Sequence, residues 1–441
     1  MSTSRYPAKI TKFYLLKLSL PIFFSNLAVP FAGVVDTGLA GRLGDSNFLA
    51  AISIATTVIT MIFWSFGFLR MSTVGLVAQD LGKGNYREIV VTVIRNLSIA
   101  FFIGLLIILF KGQLLSVIER YFSTTPETQN LIKNYISIRI LSAPAELSIY
   151  VLVGLYLGLQ KTYVSSLLVS LFSILNIIFS IYFVKFLNLS ISGIALGTVV
   201  SAYIIVFIFL IYTYFFIKRK FNIIPRYRKV FITKKLIKLF NINFDIFIRT
   251  IFLTFVFVWI TFQSSKLGED YLAINTILMQ FIIMASFFLD SYAFTTEGVT
   301  GFALGRKVKK SFLLCVTNAF EISFFTSIVI SAIYLFSYKI IINLFTDIEY
   351  LRFLSYGYIY WILLIPPIAS FCYQFDGIFI GTSTTKELRN SMVVSVVIFI
   401  ALSLFLIKYL NNHGIWLSLL MFMVIRSLTL RFYFEKILKK F

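Results

Sequence analysis

Residues 14–40 read YLLKLSLPIFFSNLAVPFAGVVDTGLA, an apolar run that contains a single lysine and a single aspartate. A helix of this length is sufficient to cross the roughly 30 Å hydrocarbon core of a bilayer. The whole chain has the same character, because 59% of its 441 residues are hydrophobic and only 13% are charged. Soluble domains are about 45–50% apolar and about 25% charged. The sequence therefore predicts a helical membrane protein and excludes a soluble multidomain protein.

This first run is expected to be a membrane helix rather than a signal peptide, since it contains Pro21, Pro30 and Asp36 and lacks a convincing small-residue cleavage site. Further apolar stretches of about 20 residues or more follow it, separated by short polar breaks. The twelve expected spans are 14–40, 48–79, 92–116, 131–158, 162–184, 190–217, 239–264, 271–304, 311–336, 351–381, 390–409 and 413–434. Several exceed the minimum length, so tilted or projecting helices are expected.

The distribution of basic residues predicts the topology. If the N-terminus is placed in the cytoplasm and the chain changes sides at each span, 28 of the 40 lysines and arginines lie on the cytoplasmic side, nine on the opposite side and three within spans. Cytoplasmic loops of membrane proteins are enriched in these residues, so both termini are expected in the cytoplasm. The same assignment accounts for the net charge of +22 without nucleic acid as a partner.

The chain also contains an internal repeat, whose corresponding positions lie 222 to 224 residues apart. The correspondences are 43–50 with 267–273, Gly75 with Gly298, 81–83 with 304–306, Pro144 with Pro366, and Gly154 with Gly377. Two six-helix lobes, 1–217 and 239–441, are therefore expected, and duplicated halves around a midplane site are typical of transporters. The basic segment 218–238 is predicted to be a solvated cytoplasmic linker that attracts anionic lipid head groups. A partner-binding segment is the alternative.

Acidic residues within spans are the strongest candidates for a functional site, because ionisable groups in the membrane are costly and usually face a cavity or a partner. Asp36 lies in the middle of its span, among small residues. Removal from water favours the protonated form of a carboxylate, and Pro21 and Pro30 allow the same helix to bend. This combination predicts a hinge that converts proton binding into a change of shape. The alternative is a structural carboxylate that hydrogen-bonds to a neighbouring helix.

Two acidic positions of the C-terminal half carry further hypotheses. Asp245 and Arg249 are four residues apart on one helical face, which favours a mutually neutralising structural pair over a substrate site. Asp376 follows Pro366 and Pro367, which are expected to interrupt the helix. Irregular backbone at membrane depth is tolerated where it lines a cavity, so Asp376 is either a cavity residue or a structural one.

The remaining acidic residues within spans are weaker candidates. Asp290 and Glu297 are seven residues apart and share a helical face, so either could line a cavity, although Glu297 could simply lie near the cytoplasmic end. Glu146 and Glu321 are expected to pair with the arginines that lie within spans.

No group of residues indicates catalysis or a cofactor. A Walker loop is absent, so ATP-driven transport within this chain is not expected. The single histidine, His413, has no partner that spacing identifies, and Cys315 and Cys372 lie in apolar runs without disulfide or zinc spacing. The chain is therefore expected not to be an enzyme. Of the 50 phenylalanines and 24 tyrosines, any that face a cavity would suit flat, apolar or cationic guests.

Long segments resemble the multidrug and toxic compound extrusion (MATE) transporters, and in particular their DNA-damage-inducible F (DinF) branch. They are SLPIFFSNLAVPFAGVVDTGLAGRLGD (19–45), FWSFGFLRMSTVGLVAQDLGKGN (63–85), RILSAPAELSIYVLVGLYLGLQ (139–160), the LD…E segment (289–297) and FDGIFIGTSTTKELRNSM (375–392). The resemblance covers essentially the whole chain. It implies an all-α membrane protein of twelve transmembrane helices, in two pseudo-symmetric six-helix lobes around a central cleft. It also implies export driven by H⁺ or Na⁺.

The resemblance also implies a coupling site in the N-terminal lobe. Pro21 and Asp36 match the proline and the cation-site aspartate of the first helix, and Asn176 and Thr198 match polar residues that join that aspartate. A second aspartate usually follows four residues after the asparagine, where this chain has Ser180. Loss of that carboxylate puts a complete Na⁺ site at Asp36, Asn176 and Thr198 in doubt and favours H⁺.

In the C-terminal lobe, Asp376 matches the acidic position of the tenth helix that related branches use. Asp290, Asp245 and Arg249 complete the candidates for that lobe.

The resulting expectation is a multi-pass protein of the bacterial inner membrane that exports small amphipathic or cationic compounds by cation-coupled antiport with alternating access. No cofactor is expected, the coupling ion is H⁺ or else Na⁺, and the partners are substrates and membrane lipids, with the chain as a monomer. A flippase of lipid-linked precursors is the alternative within transport, and an intramembrane lipid-modifying enzyme is the alternative from another class.

Overall fold

The computed structural model describes residues 10–43, 45–121, 125–221, 230 and 232–441, and within these residues it contains helices and no strand. The helices are α1 (Lys12–Ala40), α2 (Ser46–Ser65), α3 (Phe68–Gly82), α4 (Tyr86–Leu109), α5 (Lys111–Tyr121), α6 (Pro126–Arg139), a 3₁₀ helix (Ile140–Ser142), α7 (Ala143–Gly158), α8 (Thr162–Lys185), α9 (Ser190–Phe221), α10 (Thr233–Leu267), α11 (Glu269–Gly305), α12 (Lys309–Phe345), α13 (Glu349–Tyr356), α14 (Ile359–Gly381), α15 (Thr385–Leu410) and α16 (Asn412–Leu438).

Twelve segments of the described residues are long and apolar enough to cross a membrane. Asn47–Gly82 contains two α-helices and Pro126–Gly158 contains two α-helices joined by the 3₁₀ helix, while α5 and α13 are not among the spans. The predicted number of spans is confirmed. The tenth span begins at Ile359 and not at residue 351, because the backbone leaves the helix after Tyr356 and α13 is a separate short helix.

The expected interruption of the helix at Pro366 and Pro367 is wrong, since α14 is continuous through both residues. Proline has no backbone N–H, so the carbonyl four residues before it loses its usual donor. The Leu363 carbonyl, which precedes Pro367 by four residues, accepts a hydrogen bond from Ser331 Oγ of α12 at 2.8 Å. Neighbouring hydroxyls can replace the lost donor in this way, which is why membrane helices tolerate proline.

The chain divides into two compact units. The N-terminal unit is Phe24–Phe240, and the C-terminal unit combines Asn241–Phe441 with Met1–Phe23, of which residues 10–23 are described. Helices α1 and α10 therefore each contribute residues to both units. The predicted lobe boundaries at 217 and 239 stay a prediction, and much of the predicted linker (222–229 and 231) lies outside the described residues.

Each unit has its own packed core. The largest fully buried side chains include Leu69, Ile136 and Tyr156 in the N-terminal unit and Phe399, Trp416 and Phe422 in the C-terminal unit. Buried polar ends of these side chains have partners: the Trp416 indole N–H donates to Asn275 Oδ1 at 2.9 Å, and the Tyr156 hydroxyl lies 2.6 Å from the Thr213 hydroxyl. These two bonds follow the general rule that polar ends of buried side chains are hydrogen-bonded.

The sequence repeat is also a repeat of packing. A Cβ atom added at Gly154 of α7 would lie 2.6 Å from the Arg70 carbonyl oxygen of α3. At Gly377 of α14, it would lie 2.6 Å from the Ala293 carbonyl oxygen of α11. Both the glycines and the residues that they contact are 223 positions apart. Small residues allow membrane helices to approach closely, and the two units use them at equivalent positions.

Equivalent side chains also anchor the starts of α1 and α10. In the N-terminal unit, Arg95 Nε of α4 donates to the Val230 carbonyl at 2.5 Å. In the C-terminal unit, Asn318 Nδ2 of α12 donates to the Ile10 carbonyl at 2.7 Å, and Asn318 follows Arg95 by 223 residues. An ion pair of 2.5 Å accompanies each bond: Lys235 with Glu88, and Lys12 with Glu321.

Candidate functional site

Asp36 of α1 lies at the centre of a polar site within the N-terminal unit. Its Oδ1 atom is buried and has no hydrogen-bond partner among the described residues. The Ser180 side chain of α8 and the Arg139 guanidinium of α6 both interact with the Asp36 carboxyl. The structure therefore brings together Asp36 and Ser180, as the resemblance implied, and adds a cation that sequence reasoning did not place there.

Asn176 and Thr198 are bonded to each other across α8 and α9, and their joining of Asp36 stays a prediction. Asn176 Nδ2 donates to Thr198 Oγ1 at 2.6 Å, whereas Asn176 Oδ1 is buried without a partner among the described residues. Asn176 and Ser180 are four residues apart on α8, so they lie on the same helical face. The Ser180 position is tightly defined, because a Cβ on Gly197 of α9 would lie 2.6 Å from both the backbone nitrogen and the hydroxyl of Ser180.

Arg139 is held beside Asp36 by residues of its own membrane span, Pro126–Gly158. Its guanidinium forms an ion pair with Glu146 of α7 and donates to the Ser142 hydroxyl at 2.5 Å. The predicted pairing of Glu146 with an arginine inside a span is thus confirmed. The buried Tyr135 also interacts with Arg139 and with Asp36. The two-turn spacing of Arg139 and Glu146 was visible in the sequence, but the proximity of Arg139 to Asp36 was not.

The buried polar atoms that lack a hydrogen-bond partner indicate what the region around Asp36 can bind. Two buried oxygen atoms, Asp36 Oδ1 and Asn176 Oδ1, lack donors, and Ser180 and Thr198 add hydroxyl oxygens. Carboxylate, amide and hydroxyl oxygens accept protons or hard cations. A proton requires only the carboxylate and one acceptor, whereas a metal cation requires several oxygen ligands. These oxygens therefore have the chemistry to accept a proton or a small cation.

The charged residues of the C-terminal unit pair differently from the prediction. Arg249 of α10 and Arg426 of α16 both donate to Asp376 Oδ2 of α14. Asp245 accepts bonds from Arg389 Nη1 at 2.7 Å and from Thr385 Oγ1 at 2.9 Å, both on α15. The predicted pair of Asp245 with Arg249 is wrong, because each of the two residues forms its ion pair with a residue of another helix.

The structure also shows the surroundings of the three remaining acidic candidates, Asp290, Glu297 and Glu321. Asp290 of α11 is half-buried and acts electrostatically on Cys372 and Tyr373 of α14, on which Asp376 and Arg426 also act. Glu297 is 1% exposed. The prediction that Glu321 pairs with an arginine within a span is wrong, since it pairs with Lys12, which lies at the start of α1.

The twelve candidate membrane spans of the described residues, in two repeated units with buried charged sites, define a multi-pass membrane protein of the transporter type. The MatE family model matches residues 21–182 and 246–406, one segment in each half of the repeat. The chain therefore belongs to the MatE family of multidrug and toxic compound extrusion transporters, and the resemblance noted in the sequence is confirmed. The members of this family are transporters and not enzymes.

Comparison with individual proteins agrees with this assignment. The chain is 32% identical to DNA damage-inducible protein F of Escherichia coli (strain K12) over 94% of this chain and 90% of the relative. It is 27% identical to multidrug resistance protein NorM of Vibrio cholerae over 67% of this chain and 65% of the relative. A solved outward-facing MATE transporter has the same fold, with a TM-score of 0.88, 16% identity, and coverage of 97% of this chain and 96% of that chain.

Proposed function

We propose that this MATE-family transporter exports small amphipathic or cationic compounds by antiport against H⁺, with alternating access of the substrate site. The observation that carries the proposal is the half-buried Asp36, whose carboxyl Oδ1 atom is buried and lacks a partner among the described residues, while Ser180 and Arg139 interact with the group. A carboxyl group in this environment can gain and lose a proton as water reaches it, and no cofactor is needed.

The ligand set supports H⁺ over Na⁺. Asp36, Asn176, Ser180 and Thr198 supply one carboxylate, because Ser180 occupies the place of a second acid, and the Arg139 guanidinium that acts on Asp36 is itself paired with Glu146. A Na⁺ ion adds a further fixed charge and needs several oxygen ligands. A proton on Asp36 needs one acceptor, and the unpartnered Asn176 Oδ1 on the Ser180 face of α8 can supply it.

Proton binding would then change the bonds between α1 and α8. The ionised Asp36 can only accept hydrogen bonds, and Ser180 is the hydroxyl that interacts with it, whereas the protonated carboxyl can also donate, with Asn176 Oδ1 as the proposed acceptor. Pro21 and Pro30 permit α1 to respond by bending. A ligand shifts such an equilibrium only if it binds the two states with different affinity, so proton and substrate must favour opposite states of this helix.

The test is transport by purified protein in liposomes. An imposed pH gradient should drive uptake or efflux of a cationic dye at fixed Na⁺, and replacement of Na⁺ by choline at fixed pH should leave the rate unchanged. Asp36→Asn should abolish gradient-driven transport, while Asp347→Asn, whose side chain is fully exposed and paired with Arg352, is the matched control. Undiminished transport by Asp36→Asn would refute the role of this residue. A rate that falls when choline replaces Na⁺ would identify Na⁺ rather than H⁺ as the coupling ion.

The multi-pass protein is further proposed to lie in the bacterial inner membrane as a monomer, with both termini in the cytoplasm and lipids around it. The excess of basic residues on one side supports this topology. Reporter fusions after residue 441 and within 122–124 should report opposite sides. Scrambling of labelled lipid together with indifference to dyes and gradients would favour the flippase alternative.

A further inference from the structure

We propose that three segments at one end of the C-terminal unit, 306–310, 382–387 and 435–441, bind the phosphate head groups of anionic phospholipids. Together these segments are called the basic surface. In the predicted topology the basic surface lies on the cytoplasmic side of the membrane. The lipid partner is independent of the coupling ion and of the exported substrate.

Polar contacts bring the end of α16 to the turn between α14 and α15. Lys440 Nζ donates to Thr384 Oγ1 in this turn at 2.7 Å. One turn earlier on α16, Lys436 Nζ pairs with Glu387 Oε1 at 3.2 Å. Two segments that are about 50 residues apart in sequence therefore form one continuous surface.

Aromatic packing joins the turn between α11 and α12 to the same surface. The centre of the Phe312 ring of α12 lies 4.9 Å from that of Phe441 and 6.0 Å from that of Phe434. Residues 306–310, which directly precede this part of α12, therefore lie beside the end of α16. Spans of this unit end at Gly305, Gly381 and Leu438 and begin at Lys309 and Thr385. The basic surface thus lies at the boundary of the membrane, where phospholipid head groups are found.

The basic surface has a large excess of positive charge. Its acidic residues are Glu387 and Glu435, and its basic residues are Arg306, Lys307, Lys309, Lys310, Lys386, Lys436, Lys439 and Lys440. Five lysines are exposed, and their side chains form no ion pair or hydrogen bond with the described residues; they are Lys307, Lys309, Lys310, Lys386 and Lys439. All 18 acidic residues of the chain are among the described residues, so the rest of the chain has no carboxylate side chain to offer them. An external anion is the partner that these lysines can bind.

The equivalent turn of the N-terminal unit, between α3 and α4, has acidic residues on both sides. Asp80 precedes that turn and pairs with Lys83 at 3.7 Å, and Glu88 follows it. The positions 223 residues later are Ala303 and Ser311. The turn of the C-terminal unit therefore has four basic residues where the other has two, and neither of the flanking acids.

The backbone at Lys307 also indicates a role for its side chain. Lys307 has a φ of +56°, and the equivalent residue of the N-terminal unit is Gly84, with a φ of +71°. This left-handed conformation favours glycine, because a Cβ atom is crowded there. A lysine in the conformation of a glycine indicates that the charge is worth a cost in backbone energy.

An anionic phospholipid matches both the charge of this surface and its position. Its phosphate oxygens accept charge-assisted hydrogen bonds from lysine ammonium groups, and clusters of basic residues at the cytoplasmic surface attract anionic lipids. Its acyl chains can lie along the exposed apolar side chains beside the lysines, namely Val308, Leu313 and Leu314, which are 37–39% exposed. A free phosphate ion would use the lysines alone, so the lipid is the better fit.

The test measures the affinity of the purified protein in mild detergent for fluorescent phosphatidylglycerol and phosphatidylcholine with identical acyl chains. The wild type should bind phosphatidylglycerol about tenfold or more tightly, because each lysine beside an anionic head group contributes roughly a fivefold factor. The triple variant Lys307→Gln, Lys309→Gln, Lys310→Gln should lose most of this preference.

Two control variants each remove three positive charges from exposed positions elsewhere. One lies in the same unit but on the opposite side in the predicted topology: Lys266→Gln, Lys339→Gln, Lys408→Gln. The other lies on the cytoplasmic side in the N-terminal unit: Arg87→Gln, Lys218→Gln, Arg219→Gln. Both should keep the wild-type preference for phosphatidylglycerol.

A single position separates the charge of the turn from its structure. Lys307→Gly should weaken phosphatidylglycerol binding without lowering the stability of the protein, since glycine suits the left-handed backbone, and Lys307→Arg should retain the affinity. If the triple variant does not fold, Lys307→Gly decides, and wild-type affinity in that variant overturns the proposal.

Equal affinity of the wild type for the two lipids would also overturn the proposal. An equal loss of preference in the variant of the N-terminal unit would do the same, because total charge and not this surface would then decide. Displacement of labelled phosphatidylglycerol by an equal concentration of inorganic phosphate would exclude the lipid as the specific partner.

Discussion

Gly154 of α7 is the position where the close packing of helices can be tested most directly. A Cβ atom there would lie 2.6 Å from the Arg70 carbonyl oxygen and 2.8 Å from Thr73 Cβ. At its repeat equivalent, Gly377, a Cβ atom would lie 2.6 Å from the Ala293 carbonyl oxygen. Because the nearest atom is backbone in both cases, no change of rotamer can make room, and alanine must push the two helices apart.

The magnitude follows from two opposing effects. Overpacking of a tight contact costs about 1–3 kcal/mol, whereas replacement of a helical glycine by alanine stabilises the helix by about 0.5–1 kcal/mol. Gly33→Ala receives only the second effect, since a Cβ at Gly33 of α1 meets nothing within 4 Å. The difference in unfolding free energy between Gly154→Ala and Gly33→Ala therefore isolates a packing cost of about 1–3 kcal/mol.

The assay is reversible unfolding in mixed micelles of mild detergent and dodecyl sulfate, followed by the fluorescence of the four tryptophans. Gly154→Ala and Gly377→Ala should both unfold at lower dodecyl sulfate than the wild type, and Gly33→Ala should not. Equal stability of Gly154→Ala and Gly33→Ala, within about 0.5 kcal/mol of each other, would show that the helices tolerate a methyl group between them and would refute the packing argument.

Three further outcomes are expected. Ser331→Ala should destabilise the C-terminal unit by about 0.5–1.5 kcal/mol in the same micelle assay, because it removes a donor from the Leu363 carbonyl; unchanged stability would mean that this carbonyl finds another donor. Gly197→Ala should reduce gradient-driven dye transport at least tenfold, because the added Cβ displaces Ser180 from Asp36; wild-type transport by a correctly folded variant would contradict that coupling. If protons and dye compete through Asp36, wild-type dye affinity should fall as pH is lowered, and Asp36→Asn should flatten this dependence; parallel pH profiles of the two proteins would exclude such competition.

Much of the fold can be predicted because a bilayer imposes simple rules. A span needs about 20 apolar residues, so the number of spans follows from composition along the chain, and the count of twelve is confirmed. The internal repeat could also be recognised from the sequence, because close helix packing restricts which residues fit at equivalent positions. Gly154 and Gly377 are retained at equivalent places because each lies against the backbone of a neighbouring helix, where a larger residue does not fit.

The partners of charged residues are less predictable. Asp245 and Arg249 share a helical face, yet each pairs with a residue from another helix. A spacing of four residues shows only that two side chains can meet, and it does not show which competing partner lies closer. The same limit applies to Pro367, where Ser331, 36 positions earlier, supplies the missing donor.

Local patterns thus establish the class of protein, the spans, the repeat and the candidate carboxylates, since hydropathy and the high cost of charge in a membrane act on each segment separately. The approach of Arg139 to Asp36 and the convergence of Arg249 and Arg426 on Asp376 arise only when helices pack together. These residues are separated by 50 to 127 positions. Their electrostatic interaction depends on distance and burial in three dimensions, and no periodicity of the chain encodes either quantity.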